Sequence, residues 1–160
     1  MEAWFRWLEA TPLAARVREA AWLFPAIETV HIIGFVALAG AAFLFDLRLL
    51  GLSRSLRVTA LARHALPWAR RSLVLLVVPT GLLLFATQAT ELANSGVFRL
   101  KLALIAAAGI NALVFHRRTM RTVDRWDYDA RTPVAAKVAG GASLVLWTAV
   151  ITCGRFLAYF

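Results

Sequence analysis

Cysteine is almost missing from this sequence: Cys153 stands alone among 160 residues, which excludes an internal disulfide. Lysine is scarce as well, with only Lys101 and Lys137 beside sixteen arginines, and charged residues of all kinds make up 17% of the chain. The first twenty residues, MEAWFRWLEATPLAARVREA, have neither the unbroken apolar core nor the clean basic start of a signal peptide, so they are read as part of the mature protein. No stretch has the spacing of a phosphate loop, a nucleophile elbow or a zinc-protease helix, and no catalytic residue is assigned.

What the chain has in abundance is apolar length. Hydrophobic residues reach 61%, with a mean hydropathy of +0.69, against roughly 45–50% in soluble domains. They fall into four blocks, 24–45, 68–89, 98–115 and 138–160, each near the ~20 residues that cross a hydrocarbon core of about 30 Å. The expected fold is therefore all-α: a polytopic integral membrane protein, with a four-helix up-down transmembrane bundle over residues 21–160 and a short interfacial helix within residues 1–20. Trp4, Trp7 and Leu8 suggest that interfacial helix. The short link at Asn94, Ser95 and Gly96 implies that spans two and three are antiparallel neighbours. A net charge of +9 would point to nucleic acid in a soluble protein. Here the basic residues flank spans, so anionic lipid headgroups are the expected partner.

Charge also sets an orientation. Arg48, Arg54, Arg57, Arg63, Arg70, Arg71, Arg117, Arg118, Arg121, Arg125, Arg131 and Lys137 fall on one side, twelve in all, against six on the other: Arg6, Arg16, Arg18, Arg99, Lys101 and Arg155. The positive-inside rule puts the richer side in the cytoplasm and both termini in the periplasm. Trp4, Trp7, Trp22, Phe24, Tyr159 and Phe160 would form the outer aromatic belt, with Trp68 and Trp126 at the inner one.

Polar groups inside apolar spans default to function. Glu28 and His31 lie three apart in ETVHIIGF, one face of a helix, and are read as a buried pair. Glu91, Thr152 and Arg155 occur at similar depth and join them in a candidate cluster for a proton, a small ligand or a partner, in which Arg155 or Lys101, at the start of span three, would oppose Glu28 or Glu91. Asp46 and Arg48, in FLFDLRLLG, are read as an interfacial ion pair or lipid contact, and Asn111 as a hydrogen bond between helices. Arg117, Arg121 and Arg125 recur every four residues, a basic stripe for anionic lipid if the helix continues past the membrane. Cys153 offers a thiol for a metal site with His31. A haem between two histidines requires a common depth. His31 and His116 differ by roughly eleven residues, or about 16 Å, leaving His64 with His116 as the geometrically sensible pair.

WLFPAIETVHIIG, FDLRLLG, ALPW, TGLLLFA, FRLKLALIAAAGINALVFHR and GRFLAYF together resemble a family of small four-span bacterial inner-membrane proteins classed as a domain of unknown function. The resemblance covers nearly the whole chain and rests most on Glu28 with His31, Asp46 with Arg48, and Asn111 with His116; His64 lies outside the pattern. It implies a location and a span count without a reaction. The expectation is a non-catalytic accessory or anchor subunit of the bacterial inner membrane, in contact with a membrane or periplasmic protein partner. A haem b or copper-binding redox subunit is the alternative, and an oligomeric transporter or proton-linked component a third.

Overall fold

The computed structural model describes residues 2–157 and 159, and the described residues are helical throughout apart from short connections. Two short amphipathic helices open the chain, α1 (Glu2–Glu9) and α2 (Pro12–Glu19). Thr11 separates them: its backbone is extended and its Oγ1 accepts from the Ala14 N–H, while Pro12 occupies a first-turn position where a missing N–H costs nothing. They cover the terminus-side end of the bundle. Arg18 donates to the Thr87 carbonyl at 3.3 Å, Glu9 Oε1 accepts from the Thr90 N–H at 2.7 Å, and Phe5 meets the edge of Phe85.

Four long helices follow, each long and apolar enough to cross a membrane. The first is α3 (Leu23–Leu50), ended by Gly51 at φ 104°, with the Leu52 N–H reaching back to the Leu47 carbonyl. Only glycine adopts that left-handed cap at little cost. The second joins α4 (Val58–Ser72) through a π-helical turn at Leu73–Val77 to α5 (Val78–Thr87). After α6 (Ala89–Asn94), Ser95 caps α7 (Gly96–Val114) by accepting from the Phe98 N–H. α7 then continues through a π-helical turn, Phe115–Thr119, and a 3-10 segment, Met120–Arg125. The fourth is α8 (Val134–Phe156).

The second span starts ten residues before the apolar block at 68–89. Arg57, Arg63 and His64 hide this start from hydropathy, and a long-range cap creates it: Asp127 accepts from the Thr59 N–H at 2.7 Å and from its hydroxyl at 3.0 Å. The spatial order is α4–α5, α3, α8, α7, so α3 and α8 form the centre. Spans two and three, joined through α6, each lean on a central helix rather than along one another. Phe85 stacks on Phe98 where they meet, at 5.4 Å.

Small residues permit the close crossings. Ser72 Oγ donates to the Gly34 carbonyl at 2.5 Å, and a Cβ on Gly34 would lie 2.6 Å from that of Leu76. Gly140 lets α8 approach the backbone of Asp46 in the same way, and Asn111 Nδ2 donates to the Ala139 carbonyl at 2.9 Å, joining α7 to α8 as its position suggested.

The densest packing lies at the arginine-rich end, where Phe45, Leu49, Val58, Phe115, Val123 and Trp126 share one core. Trp126 is 3% exposed; it belongs to this core and not to an inner belt, because the loop after Arg125 folds back under the bundle. Trp4, Trp7, Trp22, Trp68 and Tyr159 are exposed as belt residues would be, and Phe160 lies outside the described residues.

Arg48 is also corrected. It is 2% exposed, and its guanidinium donates to the carbonyls of Leu56 at 2.6 Å, Asp127 at 3.1 Å and Arg54 at 3.3 Å, and to Thr132 Oγ1 at 3.5 Å. Its partners are two folded-back loops, so it touches neither Asp46 nor lipid headgroups. Asp46 is buried beside Ser143, and its Oδ2 has no hydrogen-bond partner among the described residues.

Candidate functional site

The terminus-side half of the bundle gathers one polar residue from each span. His31 lies on α3, Thr80 on α5, Lys101 on α7 and Cys153 on α8, all within about 12 Å of the terminus-side helix ends at 1.5 Å per residue. Gly81 makes room for the ring: a Cβ there would lie 3.1 Å from His31, so the imidazole can turn to α5. The Lys101 ammonium reaches α8 beside Gly154, 3.6 Å from where a Cβ would stand, an ordinary contact distance. Lys101 lies within electrostatic reach of both His31 and Cys153.

Hydrogen bonding assigns the protons. Thr80 Oγ1 is 2.5 Å from the Leu76 carbonyl, one turn back on its own helix, and 2.8 Å from His31 Nδ1. A hydroxyl carries one proton, and the carbonyl can only accept, so the Thr80 proton goes to Leu76. His31 must then donate from Nδ1–H to Thr80 Oγ1. In the neutral ring Nε2 is then the unprotonated, accepting nitrogen, and the ring also has a hydrogen bond to the Val77 backbone. The same locking of one ring nitrogen by a fixed partner is how proteins orient imidazoles that bind through the other. Pro79 contributes by removing an N–H from the first turn of α5, immediately after the π-helical turn that positions Thr80.

The residues singled out by sequence are thus only partly brought together. Glu28 is exposed, and its carboxylate acts on His31 through space without a hydrogen bond to it. The physical reason is direction: sharing a helix face does not make residues partners when the space vacated by Gly81 draws the ring away. Glu91 is exposed on α6, Thr152 Oγ1 donates to the Thr148 carbonyl at 3.0 Å on its own helix, and Arg155 pairs with the Tyr159 hydroxyl and ring. Thr80 was the missed member, and the signal was there in the PTG sequence at 79–81.

His64 and His116 are both exposed. His64 Nδ1 bonds the Ala60 carbonyl at 2.8 Å, His116 lies against Phe115, and no contact joins the two among the described residues. Cys153 is a buried free thiol. Among the described residues no group of three or more His, Cys, Asp and Glu side chains could hold a metal ion. Arg117, Arg121 and Arg125 are exposed, but the helix continues past Val114 in π and 3-10 form. At three residues per turn Arg121 and Arg125, four apart in the 3-10 segment, fall a third of a turn out of line, so the three do not form one straight stripe.

Four apolar helices with a polar site in one half define a multi-pass membrane protein. Over residues 4–160 the chain matches DUF6644, a family of unknown function, and it belongs to that family. Neither a curated protein nor a solved structure matches it.

Proposed function

We propose that the chain is a non-catalytic accessory or anchor subunit of the bacterial inner membrane, with both termini periplasmic, and that His31 is the group through which it works. The observation that carries this reading is the 2.8 Å contact of His31 Nδ1 with Thr80 Oγ1, whose own proton goes to the Leu76 carbonyl. It makes Nε2 the acceptor of a half-buried ring within electrostatic reach of Lys101, and suits the site to a proton, a small hydrogen-bond donor or a donor group of a partner. The largely apolar, unpacked faces of α5 and α7, with Leu82, Leu100, Leu102 and Ile110 exposed, suit contact with lipid or with helices of a partner protein.

A His31→Leu variant tests it. Leucine fills the space without needing a partner, and Thr80 keeps its bond to Leu76, so the protein should accumulate in the membrane at the parental level. In growth competition it should behave like a strain lacking the gene. Parental fitness of the variant would overturn the reading.

A further inference from the structure

A groove of about 420 Å³ runs between the end of α7 and the start of α8 at the arginine-rich end of the bundle. Its walls are apolar, formed by Val114, Phe115, Val138 and the small residues Ala135 and Ala139. Arg118 and Thr119 line it as well, both in the π-helical turn that follows α7. No acidic residue is among the lining side chains, and Asn111, which is, already spends its amide on Ala139.

From this geometry we propose a binding site for one anionic phospholipid, an acyl chain lying along the alanine-recessed wall and the phosphate at Arg118 and Thr119. Three features converge on that occupant. The apolar walls belong to membrane-spanning helices, so the groove opens where acyl chains are the solvent. Arg118 supplies a guanidinium fork matched to phosphate oxygens, and Thr119 a hydroxyl donor. Ala135 belongs to the first turn of α8, whose dipole favours an anion in the same place. The π-helical turn matters because one extra residue in the turn re-aims the side chains that follow it. Arg117, Arg121 and Arg125 do not line the groove, so the site depends on Arg118.

Native mass spectrometry of the full chain in detergent tests this, with phosphatidylglycerol and phosphatidylcholine of identical palmitoyl-oleoyl chains as probes. A single retained phosphatidylglycerol is expected. Arg118→Gln should weaken its retention about fivefold, the factor for removing one basic side chain near a charged lipid. Arg63→Gln, on α4, should leave it unchanged. Glycerol phosphate without acyl chains should not compete; full competition would mean that a free phosphate site, rather than a lipid site, is present. Ala135→Leu reads the groove independently of charge: it should reduce retention of the lipid while the chain stays folded by circular dichroism. Equal retention of both lipids, or phosphatidylglycerol retention unaffected by Arg118→Gln and Ala135→Leu, would overturn the proposal.

Discussion

Arg48, near the end of α3, donates at 3.1 Å to the main-chain carbonyl of Asp127, a residue 79 positions away in the loop before α8. The Asp127 side chain in turn caps the start of α4. One buried guanidinium thus fixes both connections at the arginine-rich end, because its planar fork can serve several carbonyls at once.

Replacing Arg48 by Ala should therefore free both loops together. Three part-buried carbonyls lose a charged donor, a loss of about 3 kcal/mol, and Arg48→Lys should recover little of it since an ammonium cannot span the same acceptors. Limited trypsin digestion of the purified protein checks this. The variant should be cut at Arg54, Arg57 or Arg131 under conditions that leave the parent intact.

The helix crossings separate two glycines that look alike in sequence. Gly34→Ala places a Cβ 2.6 Å from Leu76 Cβ, a backbone-anchored atom that cannot swing away, whereas a Cβ on Gly40 meets nothing within 4 Å. Gly34→Ala should destabilise by about 1–3 kcal/mol through overpacking. Gly40→Ala should be neutral or slightly stabilising, since alanine favours the helix by up to about 1 kcal/mol. Thermal unfolding in detergent, followed by circular dichroism, gives the order of the three melting temperatures.

The proposed orientation, with both termini periplasmic, rests on twelve basic residues on the opposite side against six. Alkaline phosphatase fused to the C-terminus should then be active and a green fluorescent protein in the same place dark. A bright fluorescent fusion would reverse the topology.

The apolar centres of all four spans were legible in sequence because a membrane demands length and hydropathy from each segment by itself. Their ends were not, since Val58 begins a helix through a cap supplied from position 127. The site shows the same division. His31 stood out as an ionisable group in an apolar run, but Thr80, 49 residues away, becomes its partner only through the approach of α5 to α3 that Gly81 permits. Arg48 and Trp126 looked interfacial because they sit at span ends, and they are buried because loops fold back over them.

Nitrogen-15 NMR of the single remaining imidazole, in protein with His64 and His116 replaced by Gln, tests the central claim most directly. In its neutral form His31 should show a protonated Nδ1 and an unprotonated Nε2, and Thr80→Val, which removes the acceptor that holds Nδ1–H, should shift the ring toward the Nε2–H form. A parent protein already in the Nε2–H form, or a ring indifferent to Thr80→Val, would contradict the account: Nε2 would then not be the acceptor offered to the bundle interior.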